Sequence, residues 1–208
     1  MCGGKMNKTR FGATDVYIAA IGQGPIEPVC PPVRQARIEA AANEKQRRQR
    51  YFAWKLLEFA LENSFGLRLE QQEFSVDKNG KWCCGACFFS LSHSREAVAV
   101  AVSDRPVGVD IECLNRNILP GLAHKILTQR ELLAYHALDA EKQKIFLLEK
   151  WCAKESIYKK DSRPFAPRQT ETEGNAVTGV LEVAGHAYAY AVATDQPERL
   201  RICSRVIL

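Results

Sequence analysis

Residues 107–112 read Val107-Gly108-Val109-Asp110-Ile111-Glu112, and this alternating run decides how the chain is organised. It predicts an extended strand, on which Asp110 and Glu112, two residues apart, point the same way. Just before it, Ala97-Val98-Ala99-Val100-Ala101-Val102 is a second strand, and Ser103-Asp104-Arg105-Pro106 turns one into the other. The pair is expected to run antiparallel as neighbours. Further upstream, Asn79-Gly80 is a hairpin-type turn, followed by a short strand and by Phe88-Phe89-Ser90-Leu91-Ser92-His93-Ser94.

Working outward, Val16 to Ile21 is a first strand, closed by Gly22-Gln23-Gly24-Pro25. That turn is not a dinucleotide fingerprint, because no third glycine follows. A helix begins near Pro32, where proline is tolerated in the first turn. A second helix start lies at Asn43-Glu44-Lys45-Gln46, a variant capping box. The helix behind it buries Ala53, Trp54, Leu57, Ala60 and Leu61 and stops at Asn63-Ser64-Phe65-Gly66. Downstream, Thr128-Gln129-Arg130-Glu131 is a capping box, a longer helix covers about 140–160, and strands are expected at 176–183, 186–194 and 200–207. Each half, 1–105 and 106–208, therefore has a helical region and several strands.

Composition excludes several classes. With 46% apolar and 25% charged residues in a chain of 208, the sequence is that of a globular protein. No run of 18 apolar residues exists, so no transmembrane helix is expected. Met1 to Arg10 has basic residues without an apolar core behind them, unlike a secretory signal. Met1-Cys2-Gly3-Gly4 lacks the glycine directly after Met that myristoylation needs. A cytoplasmic, reducing location is expected, with the eight cysteines free. Cys84-x-x-Cys87 has no second ligand pair to complete a zinc site, so it reads as small filling beside a strand. The formal net charge of +5 concentrates in Arg34, Arg37, Lys45, Arg47, Arg48 and Arg50. Such a patch attracts phosphates, acidic proteins or nucleic acid, or is a solvated helix face.

Two carboxylates side by side on an apolar strand are unfavourable unless a cation neutralises them, and oxygen-only ligation favours Mg²⁺ or Mn²⁺. An edge strand facing water is the other reading. On this first account, removing Asp110 would relieve repulsion and leave metal-free stability level or higher. On the helix, Trp151, Glu155 and Lys159 share one face at i, i+4 and i+8. Either Glu155 and Lys159 form a surface pair, or Glu155 is a third ligand or base and Lys159 a phosphate clamp. Spacing alone leaves both open.

Three segments together resemble the 4′-phosphopantetheinyl transferases of the longer, surfactin-synthetase-activating type: Phe89-Ser90-Leu91-Ser92-His93-Ser94, Val107-Gly108-Val109-Asp110-Ile111-Glu112, and Trp151-x-x-Lys154-Glu155-Ser156-x-x-Lys159. The close match covers about 90–160, and Thr128 to Glu131 resembles the segment between the second and third motifs. The resemblance implies an α+β fold of two similar α/β halves in one chain, pseudo-dimeric, each a small mostly antiparallel sheet packed with helices. It also implies transfer of the 4′-phosphopantetheine arm of coenzyme A to a serine of an acyl- or peptidyl-carrier protein, with Mg²⁺ (or Mn²⁺), releasing adenosine 3′,5′-bisphosphate. Asp110, Glu112 and Glu155 match the metal carboxylates and Lys159 the pyrophosphate contact, while Ser92 and His93 match residues beside the coenzyme phosphates. Catalysis is assigned to Glu155, Lys159 and His93.

In the first half the match is looser. Arg34, Arg37 and Arg50 fall where the family has basic residues near the phosphates. Lys81-Trp82 falls where it usually has Lys-Pro lining the adenine. On one continuous helix Arg34 and Arg50 would differ by about 160° around the axis, so the second start at Asn43 is needed for them to converge. A monomer is expected, acting on a carrier protein, with neither nucleic acid nor membrane as partner. The competing readings are a nucleic-acid-binding module using residues 45–50 and an inactive scaffold of the same shape.

Overall fold

The computed structural model describes residues 12–206; the reading of Met1 to Arg10 as no secretory signal, and that of Met1 to Gly4 as no myristoylation site, lie outside them. The chain is of the α+β type. Strand β1 (Thr14–Ala20) leads to helices α1 (Pro32–Glu39) and α2 (Glu44–Phe65). The small strands β2 (Phe74–Val76) and β3 (Trp82–Cys84) follow, and then β4 (Phe88–Ser94), β5 (Ala97–Ser103) and β6 (Val107–Cys113). Helices α3 (Leu122–Ile126), α4 (Gln129–His136) and α5 (Ala140–Asp161) precede β7 (Val177–Val183), β8 (His186–Thr194) and β9 (Leu200–Val206).

Local signals set the helix ends. The Asn43 side chain accepts the N–H of Gln46 at 2.9 Å and starts α2, which ends on Gly66 in the left-handed region. Pro32 sits in the first turn of α1. Thr128 and Glu131 form a reciprocal capping box on α4, and Asp139 caps α5.

One sheet has the order β4-β5-β1-β9 and a second the order β6-β8-β7, with β2 and β3 paired separately. Strand β5 pairs antiparallel with β1 and β4, whereas β6 pairs with β8. The expected β5–β6 pairing is therefore corrected: the turn after Ser103 carries the chain from one sheet to the other. The reason lies in the side chains. Ala97, Ala99 and Ala101 turn one face of β5 toward Val107, Val109 and Ile111 in a shared apolar cluster, so the two sheets stack face to face. On the outer face of the first sheet, Val98, Val100 and Val102 pack against Trp54, Leu57 and Leu61 of α2. On the outer face of the second, Ala189 and Ala191 pack against Leu148, Cys152 and Ala153 of α5. The layers run helix, sheet, sheet, helix. The last strand, β9, lies parallel to β1 and so returns to the first sheet.

Candidate functional site

The site begins where α5 crosses β6. Asp110 and Glu112 lie on the face of β6 that meets α5, and Gly108 completes that face. Asp110 is 5% exposed. From α5, Lys159 Nζ donates to Asp110 Oδ1 at 2.7 Å and to the carbonyl of Val109 at 3.2 Å. Asp110 Oδ2 is buried without a hydrogen-bond partner, a costly arrangement unless a cation or donor joins it. Glu112 receives Ser94 Oγ at 2.8 Å and Arg116 at 2.5 Å.

Burial, and then the Asp110 charge, push the carboxyl groups of both Glu112 and Glu155 above their usual range. Burial alone would lower Lys159, but Asp110 outweighs it and holds the ammonium protonated. Asp110, Glu112 and Glu155 thus lie within electrostatic reach of each other. Among the described residues, however, no three metal-ligating side chains converge on one point.

A second cleft, of about 480 Å³, is lined by Arg34, Arg37, Arg50, Trp82, Leu91 and His93. The break between α1 and α2 lets the arginines converge. Arg34 donates to the carbonyl of Arg50, and Arg50 to that of Arg37, each at 2.6 Å. Trp82 is their platform, with the guanidinium of Arg37 at 5.0 Å and that of Arg34 at 5.7 Å from its ring. Burial, then the charges of Arg37 and Arg50, lower the pKa of Arg34 to about 10. Arg34 Nε is buried and unpartnered. Three crowded cations with an idle donor form a site that an anion would relieve. His93 faces the same cleft, and desolvation by its walls, then Lys159 and Arg34, lower its pKa and favour the neutral ring.

Trp82 and Leu91 also line a neighbouring cleft of about 340 Å³ that contains Glu155 and Lys159. The arginines and the α5 side chains therefore face two adjacent spaces that share the Trp82–Leu91 wall. Two residues matched to the coenzyme lie apart from the arginines, Lys81 lining the neighbouring cleft. Lys81 lies on the α5 side, its ammonium directed to the carbonyls of Val107, Lys159 and Lys160 at the helix end. Ser92 is buried, its hydroxyl donating to Asp110 Oδ1 at 2.7 Å.

The sequence reading also missed working residues. Lys154 is fully buried, with Nζ donating to the carbonyls of Ile126 and Pro167 and to Glu131, which links α3, α4 and α5. Its signal was its position: one residue before Glu155, it is turned about 100° round the helix. Arg116 and Ser94 carried no separable signal. The basic run divides: Arg47 pairs with Glu44 at 3.7 Å and Arg48 reaches the carbonyls of Gly22 and Gly24. Cys87 is buried in the core and its thiol is pushed up to about 12 by burial, then by Cys84.

Guanidinium groups in one space and an ammonium among carboxylates in the next are the equipment of an enzyme that handles phosphates. Residues 106–170, which hold Asp110, Glu112, Glu155 and Lys159, match the family model of the 4′-phosphopantetheinyl transferase superfamily. A relative from Bacillus pumilus, the 4′-phosphopantetheinyl transferase psf-1, is 26% identical over 160 residues, covering 72% of this chain and 68% of its own. Residues 106–170 thus carry the match to the 4′-phosphopantetheinyl transferase superfamily, and together with the relative they support a transferase enzyme.

Proposed function

We propose that the protein moves the 4′-phosphopantetheine arm of coenzyme A onto a serine of an acyl- or peptidyl-carrier protein in a Mg²⁺-dependent reaction that releases adenosine 3′,5′-bisphosphate. The observation that carries this reading is that the arginine cleft lies beside the Glu155–Lys159 cleft, with Trp82 and Leu91 lining both. A coenzyme laid across that wall has its phosphorylated nucleoside among Arg34, Arg37, Arg50 and His93, and its pyrophosphate near Lys159. The unpartnered Asp110 Oδ2 and the mutually repelling carboxylates fit a hard divalent cation, with Asp110, Glu112 and Glu155 as the residues to hold it. When bound, the ion would supply charge neutralisation on the phosphate that leaves with adenosine 3′,5′-bisphosphate.

The chain's own residues do the rest. Lys159 stays protonated and places positive charge where the leaving group develops negative charge. Glu155, its basicity raised by burial and by Asp110, takes the proton of the incoming serine hydroxyl. Neutral His93 donates a hydrogen bond to a phosphate without adding charge to the arginine cluster. The shared strand order and the 22-residue helices α2 and α5 support two similar halves, divided near residue 105, in a chain acting as a monomer. Among the described residues no helix is long and apolar enough to cross a membrane, and the described cysteines are free; both suit a cytoplasmic setting.

The test is incubation with coenzyme A, Mg²⁺ and a panel of apo carrier proteins. A phosphopantetheine mass gain on a carrier, lost with a chelator, is expected. No gain on any carrier would leave the scaffold reading, and salt-sensitive retention on nucleic acid the binding-module reading.

A further inference from the structure

Strands β4 and β6 belong to different sheets, yet three serines join them. Ser90, Ser92 and Ser94 lie on one face of β4, and their hydroxyls accept the backbone N–H groups of Val109, Ile111 and Cys113 at 3.1, 3.3 and 3.0 Å. These alternate N–H groups of β6 point away from its partner β8 and would otherwise be buried without acceptors. A hydroxyl that accepts still has its own proton to give. Ser92 gives it to Asp110 Oδ1 at 2.7 Å and Ser94 to Glu112 Oε2 at 2.8 Å. Ser90, opposite Gly108, has no carboxylate to serve.

We propose that Ser92 and Ser94 are positioning residues that fix Asp110 and Glu112 for the metal ion, each tying a carboxylate to the backbone of its own strand through a hydroxyl of β4. The inference rests on the metal reading of the proposed function. Its geometry leaves Asp110 Oδ2 as the free oxygen, because Oδ1 is already held by Ser92 and Lys159. It also makes the join between the two sheets part of the site: a shift of β4 along β6 would turn both carboxylates.

The experiment measures Mn²⁺ binding by the loss of the free-ion paramagnetic resonance signal, with coenzyme A present and no carrier, in wild type, Ser90→Ala, Ser94→Ala and Ser94→Thr. Metal-free melting is recorded alongside. Ser90→Ala and Ser94→Ala each lose one ladder bond, and Ser94→Ala the Glu112 bond besides, so Ser94→Ala should melt somewhat lower. Only Ser94→Ala should weaken Mn²⁺, by about tenfold, as losing an outer partner of a ligand does. Ser94→Thr should regain affinity, since it keeps the hydroxyl. Equal Mn²⁺ affinity in Ser90→Ala and Ser94→Ala, whether both weakened or both intact, overturns the inference. Absence of Mn²⁺ binding by wild type overturns the metal reading itself and is thereby told apart.

Discussion

A β-carbon on Gly108 would overlap the backbone oxygen of Ser156 and lie 2.6 Å from the backbone nitrogen of Lys160, so β6 and α5 touch backbone to backbone, one residue beyond each of Glu155 and Lys159. That contact brings both α5 side chains to Asp110. Gly108→Ala must push the helix outward, at a cost of about 3 kcal/mol, the upper end of ordinary overpacking. Both the melting temperature and carrier transfer should fall, and a Gly108→Ala protein with wild-type values in both would show that α5 can stand off without consequence.

Asp110→Ala should abolish metal-dependent transfer. Its effect on stability reverses the expectation drawn from the sequence. Repulsion is relieved, but Lys159, half-buried beside Val109, loses its one ion-pair contact among the described residues. Breaking a pair whose lysine is still partly solvated costs less than the roughly 3 kcal/mol of a fully buried one, about 1–2 kcal/mol. Metal-free denaturant unfolding should therefore show a loss, and an unchanged or higher midpoint would mean the repulsion dominates.

Arg37→Ala should weaken coenzyme A by about 1.5–3 kcal/mol, the range for a charge-assisted hydrogen bond. Because Arg37 presses on Arg34, ligand-free stability should not fall with it. Calorimetric titration beside a melting curve separates the two; unaltered affinity would remove Arg37 from the coenzyme site.

Glu155→Gln should keep coenzyme A binding within about tenfold, ~1.4 kcal/mol. Turnover should drop by about 10² or more, the low end for a general base. Since burial and Asp110 raise the Glu155 carboxyl, wild-type turnover should decline as pH falls from neutrality, at a higher pH than for an ordinary glutamate. Near-normal turnover of Glu155→Gln would reject the base role.

The Lys154–Glu131 pair gives the fold an acid limit. Burial would raise Glu131, but Lys154 and the N–H of Thr128 outweigh it and hold the carboxyl below its usual value. Its contribution is therefore complete above the ordinary glutamate value of about 4.3 and lost as pH drops through the lowered folded value. Glu131→Gln should cost about 3–5 kcal/mol at neutral pH and flatten the fall in stability on acidification. Denaturant midpoints across that pH range decide it.

What the sequence disclosed was local. The Asn43 cap, the Thr128–Glu131 box and the Gly66 stop each act within a few residues, so the helices were readable from them. The facing of Asp110 and Glu112 followed from strand alternation alone. Pairing of β5 was not readable, because a period of two is the same for strands that bond edge to edge and for strands that stack. Ser92 shows the same limit: alternation sets it beside Ser90 and Ser94 but does not say whether that face meets a cleft or another strand. Lys81 was placed by resemblance, and only its reach to the α5 carbonyls revealed where the ammonium goes.

The parallel pairing of β1 with β9 sets Thr14 opposite Leu200. Of the described strands, the first to be made therefore waits for the last. Until then β1 has one bare edge, open to pairing with a strand of another nascent chain. Loop closure over so long a separation is slow, so the window of exposure is long. Synthesis rate and chaperone supply while β9 is awaited, rather than the strength of either half, would then govern how much of the protein escapes aggregation.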